Sequence, residues 1–195
     1  LKAKLEAAKA KLVAKADTTE LSTAKADLDT KAKEVVSTEG KTKATVDAYN
    51  NAKAAAEAAV TAAEAVINDE NVTATAVAEA LANVNAKKAA LEAAKAALVA
   101  KVTPEQKTAL GNAGTDLAVL GDADLAGKTK ETADAYKVET GKLTADIEAA
   151  KREAAAILAD PENKTQAEAA LVQSKIEALK AKLEAAKAKL VAKAD

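Results

Sequence analysis

Apolar residues fall along this chain at intervals of three and four, the spacing that gathers side chains on one face of an α-helix. In the opening segment, Leu1–Lys15, they are Leu1, Leu5, Ala8 and Leu12. Asp17-Thr-Thr-Glu20 has the form of a capping box and predicts a second helix with Leu21, Leu28 and Val35 at heptad spacing. Gly40 stands where the C-terminus of that helix calls for a left-handed residue. A third helix is predicted over 41–67, with Val46, Tyr49, Lys53, Ala56, Val60, Ala63 and Ile67 in phase, and Asn68-Asp-Glu-Asn71 breaks it. A fourth runs from Thr73 to Val102 without Gly or Pro, carrying Val77, Leu81, Val84, Leu91 and Leu98. Thr103-Pro-Glu-Gln106 is another capping box, with Pro at the first helical position. A long helix is predicted over 128–158, then the turn Asp160–Thr165, then a last helix capped by Thr165 and Glu168 and running to the chain end.

Repetition sets the domain organisation. Leu1–Asp17 reads LKAKLEAAKAKLVAKAD, and Leu179–Asp195 repeats it letter for letter. Leu91–Lys101 (LEAAKAALVAK) matches Leu5–Lys15 at all but one position, and GKTKATVDAY from Gly40 agrees with GKTKETADAY from Gly127 at eight of ten. The predicted fold is therefore all-α: two tandem three-helix bundles forming an elongated rod. Residues 1–90 are the first repeat, with 1–16 continuing a helix from a preceding unit; 91–182 are the second, and 183–195 begin a further one. The fourth helix, with its second half equivalent to Leu1–Lys15, is expected to serve both bundles as one continuous element. A chain that begins at Leu1 is expected to be part of something longer.

Composition narrows the function. Of 195 residues 57 are Ala, while Leu, Ile and Val together number 37, so long helices are favoured but their cores are expected to be thin. There is no Cys, His, Trp, Phe or Met. That removes imidazole and thiol chemistry, the usual zinc ligand sets and most aromatic stacking. Lys and Arg number 29 against 30 Asp and Glu, a balance without the basic footprint of nucleic-acid binding. No apolar run reaches the length of a membrane span. No catalytic, cofactor-binding or metal-binding residue is assigned, and neither an enzyme nor a cofactor is expected.

The residues that could carry chemistry each have a plainer reading. Asn68–Asn71 and Asp160–Asn163 gather oxygen ligands but lack the EF-hand spacing, and read better as helix-ending turns. Asp122 and Asp124, between Gly121 and Gly127, also have turn composition. Asn71-Val-Thr73 and Asn163-Lys-Thr165 fit the glycosylation sequon, although a capping role for each Thr explains their matched places. Tyr49 and Tyr136 could be binding hot spots, but their phase with neighbouring apolar residues favours the core. Lys2, Lys4, Lys9, Lys11 and Lys15 read as a solvated face. Gly111, Gly114, Gly121 and Gly127 cluster in the second unit, which suggests either a broken helix or a close helix contact.

The segments AEAVINDENVTATAVAEALANV (Ala63–Val84) and AAAILADPENKTQAEAALVQSKI (Ala154–Ile176) resemble the FIVAR repeat of Gram-positive surface proteins. That pattern is a helix ending in an apolar pair, an Asp/Asn-rich turn, a Thr cap and a following helix; the related GA modules are also three-helix bundles. The resemblance implies a repeat from the stalk of a cell-wall-attached adhesin, extracellular, with attachment through other regions. On this reading the repeat is a structural spacer projecting a ligand-binding domain. Its partners are neighbouring repeats of the same chain, it is monomeric, and no host ligand is expected on this segment. One alternative is a bundle that itself binds a host protein or matrix component. A second is a late-embryogenesis-type stress protein, which stretches such as GKTKETADAYK resemble.

Overall fold

A computed structural model describes residues 1–9 and 15–194. Among these the chain forms seven α-helices: α1 (Lys2–Lys9), α2 (Thr19–Ala32), α3 (Lys43–Asn68), α4 (Ala74–Ala96), α5 (Pro104–Gly121), α6 (Lys130–Ala159) and α7 (Gln166–Ala188). The chain divides into two compact units, Leu1–Glu39 with Ala44–Leu98, and Gly40–Lys43 with Val99–Asp195.

In the first unit α2, α3 and α4 share one core. Leu21 and Leu28 of α2, fully buried, meet Tyr49, Ala56, Ala59, Val60 and Ala63 of α3 and Val77, Val84 and Leu91 of α4. The α3 face is largely alanine, so the leucines of α2 fill the space that a larger residue on α3 would occupy. In the second unit α5 supplies Leu110, Ala113 and Leu117, α6 supplies Ala150, Ala154 and Ile157, and α7 supplies Ala169, Val172, Ile176, Leu179 and Leu183. Ion pairs give the helix directions. Asp27–Lys88, Lys31–Glu92 and Glu34–Lys95 share a constant difference in residue number, so α2 and α4 run parallel. Glu153–Lys175 and Glu139–Lys189 share a constant sum, so α6 and α7 are antiparallel.

Three of the expected caps form. Thr73 accepts from the Ala76 N–H at 3.2 Å. Thr103 with Gln106 and Thr165 with Glu168 make reciprocal capping boxes. The box expected at Asp17–Glu20 does not form. The helix starts later, with Thr18 at its N-cap, and the Asp17 carboxylate accepts from the Thr19 N–H at 2.9 Å and hydroxyl at 2.6 Å. The same two bonds hold the Asp17 carboxyl below its usual pKa.

Other expectations are corrected. α2 stops at Ala32, so Val35 lies outside it, 96% exposed, and Gly40 (φ +68°) serves a later turn. The fourth helix does not continue to Val102 as an element common to two bundles. It ends at Ala96, and Leu91 is buried in the first unit's core. Val99–Val102 must be extended to pair with other backbone, and Pro104 disfavours helix at Thr103, which takes ψ 161° as N-cap. The compact units therefore part after Leu98, and the last helix likewise ends at Ala188. In the opening segment α1 buries nothing: Leu1 and Leu5 are exposed, and Lys11 and Leu12 lie outside the described residues.

Gly111 and Gly114 neither break α5, which ends at Gly121, nor serve a close contact. α5 is continuous through Gly111 and Gly114, and a Cβ at either position would meet nothing within 4 Å. Gly114→Ala is therefore expected to raise stability by about 0.5–1 kcal/mol. Leu183→Ala, removing a fully buried leucine, is expected to cost about 2–5 kcal/mol. Urea denaturation followed by circular dichroism measures both.

Candidate functional site

Each sequence-derived candidate has a structural employment. The Asp69 carboxylate accepts from the Asn71 N–H at 2.8 Å, and the Asp160 carboxylate accepts from the Asn163 side-chain amide at 3.0 Å. Asp124 likewise accepts from the Ala126 N–H at 3.0 Å, while Asp122 is the C-cap of α5. Both sequon threonines are N-caps. Among the described residues no three carboxylates gather as a metal site would require. Tyr49 and Tyr136 are each 4% exposed, in core positions. The Tyr136 hydroxyl donates to the Gly121 carbonyl at 2.8 Å, closing the end of α5, and burial together with Asp122 pushes the phenol pKa up. Lys2, Lys4, Lys9 and Lys15 are exposed.

Two arrangements that the residues do build were missed from sequence. The first is a charge ladder along the parallel seam of α2 and α4. Asp27 pairs with Lys88, Lys31 with Glu92 at 2.7 Å, and Glu34, just past α2, with Lys95 at 2.6 Å. Signs alternate along both strips, so sliding one helix by a turn brings Asp27 toward Glu92 and Lys31 toward Lys95. Such pairs are exposed and add little to stability, but they oppose the wrong register. Hydrogen bonds from the facing lysines hold Asp27, Glu34 and Glu92 below the usual carboxylate range, and Glu92 raises Lys31. Among the described residues of the second unit the first rung alone recurs, as Asp116–Lys180; Leu120 stands where Lys31 would be, counted from the core leucines. The signal was available: Asp27/Lys31/Glu34 and Lys88/Glu92/Lys95 have the same four-three spacing with opposite signs.

The second arrangement is a backbone clamp in the second unit. Val99–Val102 is extended between two other segments. On one edge the Thr42 N–H donates to the Val99 carbonyl at 2.8 Å and the Lys101 N–H to the Gly40 carbonyl at 2.9 Å. On the other, the Val102 N–H donates to the Lys164 carbonyl at 2.9 Å and the Gln166 N–H to the Ala100 carbonyl at 3.0 Å. Alternate residues address opposite edges, as an extended chain requires. Lys101 also pairs with Glu162 at 2.6 Å, which holds the Glu162 carboxyl below its usual range. The first edge is built again at the LVAK of 190–193: Thr129 donates to Val191 at 2.9 Å and Lys193 to Gly127 at 3.0 Å. LVAK, GKT and N-x-T recur in the sequence, but only folding brings them side by side.

Surface concavities are shallow. One between α6 and α7 is lined by Ala156, Ile157, Leu171 and Val172 and edged by Glu153, Lys164 and Glu168. Leu171 is 60% exposed there. Counted from the Thr caps, the first unit has Glu79 at the corresponding place. No helix among the described residues is long and apolar enough to cross a membrane.

The chain is similar to part of a very long protein. It is 32% identical over 160 residues, 81% of its length, to the extracellular matrix-binding protein EbhB of Staphylococcus aureus strain N315. The extracellular matrix-binding protein ebh of strain NCTC 8325 matches with the same identity and coverage. The chain spans 4% of the first relative and 2% of the second. No protein family and no solved structure matches it.

The ladder predicts a charge-reversal pattern. Lys31→Glu faces Glu92 with a like charge and lowers the thermal midpoint, and adding Glu92→Lys recovers part of the loss. The three depressed carboxylates stabilise the fold fully above their unfolded pKa, near about 4. That contribution is lost as pH falls through their lower folded values. The thermal midpoint is expected to hold from neutral pH to about 5 and fall below about 4, less steeply in Lys31→Met and at high salt.

Proposed function

We infer that this chain is a repeat from the stalk of a bacterial surface adhesin, a helical spacer that carries a ligand-binding region away from the cell. On this reading it is extracellular, monomeric and non-enzymatic, anchored to the cell wall through other parts of its protein. Residues 1–90 and 91–182 are successive repeats of FIVAR/GA-like type, and the partners of each are its neighbours in the chain. The observation that carries the reading is the clamp: the same LVAK segment closes on the same GKT segment twice, at 98–101 with 40–42 and at 190–193 with 127–129. Here the chemistry that recurs most faithfully serves chain connection, and the polar groups at the turns serve caps. The similarity to small fractions of very long proteins suits a repeated element.

A second reading, a module that itself holds a matrix component, is favoured by one feature, the α6–α7 depression with its exposed Leu171. In the first unit Glu79 stands in the place of Leu171, which weighs against a function shared by the repeats.

One experiment separates the two. The chain, immobilised, is exposed to solubilised extracellular matrix and serum proteins beside a Leu171→Asp variant. A spacer retains nothing at submicromolar concentration. Retention at that level, lost in Leu171→Asp, overturns the spacer reading in favour of the binding module. The spacer reading also expects the maximum dimension of two- and three-copy chains, measured by solution scattering, to grow in proportion to copy number.

A further inference from the structure

Leu190–Lys193 and Leu98–Lys101 have the same sequence, LVAK, and the same partners on one edge, but their opposite edges differ. In the earlier copy that edge holds the turn ending in Asn163-Lys-Thr165, and Val102 beside it is 3% exposed. In the later copy the equivalent atoms are the Ala192 carbonyl and the Ala194 N–H, which have no hydrogen-bond partner among the described residues. Ala192, Lys193 and Ala194 are all exposed.

The chain also contains the matching turn. Asn68-Asp-Glu-Asn-Val-Thr73 corresponds to Asp160-Pro-Glu-Asn-Lys-Thr165, with Glu70 in the place of Glu162. Against it lies Lys15–Ala16, whose Ala16 N–H donates to the Val72 carbonyl at 3.4 Å, while Lys15 and Glu70 line one depression. Lys15–Ala16 is the sequence twin of Lys193–Ala194, because Leu1–Asp17 and Leu179–Asp195 are identical.

We propose that the open edge of Leu190–Ala194 is a docking strand for the Asn68–Thr73 turn of a further copy of this repeat, joined in the same chain so that its Thr18 follows Asp195. The Ala194 N–H donates to the second copy's Val72 carbonyl, and the Ala192 carbonyl accepts from the N–H that follows Thr73. Lys193 faces the second copy's Glu70 as Lys101 faces Glu162. Covalent joining supplies the effective concentration that so small a contact needs. The proposal rests on the repeat reading above and adds a partner and a register to it.

The test compares the 195-residue chain with a two-copy chain in which residues 18–195 follow Asp195, by residue-resolved amide hydrogen exchange. Docking slows exchange at Ala194 by about tenfold or more in the two-copy chain, the effect of one added hydrogen bond. Lys193→Glu shrinks that slowing when the two-copy chain is compared with a single-copy chain carrying the same substitution. A two-copy chain whose second set of helices is protected, but whose Ala194 exchanges as fast as in the single copy, overturns the docking strand and leaves the spacer reading intact. Matrix binding through Leu171 overturns the spacer reading and leaves the docking strand intact.

Discussion

The constraint behind this structure is that so little strongly apolar surface has to hold three helices together. In the first unit two leucines of α2 are wholly buried against an α3 face made mainly of Ala56, Ala59 and Ala63. Alanine contributes less burial than leucine would, but it lets the helices approach and costs no side-chain entropy in forming them. The narrow stripe leaves most of each helix exposed, and there the polar residues specify register rather than supply stability. The Asp27–Lys88, Lys31–Glu92 and Glu34–Lys95 ladder is the clearest case.

Helix ends carry the second share of the specification. Thr73, Thr103 and Thr165 each turn a chain reversal into a defined start, and the acidic turns before Thr73 and Thr165 use their carboxylates within the turn, Asp69 on the Asn71 N–H and Asp160 on the Asn163 side-chain amide. Residues that resemble ligand-binding groups in the sequence are thus committed to local bonds. The same economy appears in the clamp, where a few backbone bonds and one Lys–Glu pair join segments about sixty residues apart. The charge is near balanced, and the matrix-binding name among its relatives belongs to proteins that this chain resembles over only a small part of their length.

Much of the fold was legible in the sequence. α3, α6 and the start of α4 follow directly from three-four spacing and from Thr caps, because those signals act within one or two helical turns. The buried positions of Tyr49 and Tyr136 were legible from phase with their neighbours. The glycines of α5 show the limit of such reasoning. Composition suggested a break or a tight contact, but the open space around Gly111 and Gly114 can be known only from what lies opposite them.

The sequence by itself determined an all-α protein with repeated segments, its principal caps and the alanine-and-leucine stripes that make its cores, since each depends on nearest neighbours along the helix. The tertiary structure alone decided where α4 stops, and with it which unit Leu91 serves. LEAAKAALVAK is an excellent helix to its last residue by local preference, yet its final residues are drawn out to give backbone bonds to Gly40–Thr42 and Lys164–Gln166. Leu1–Asp17 makes the same point. Identical text is exposed at Leu5 and wholly buried at Leu183, because burial depends on whether α5 and α6 are there to receive it.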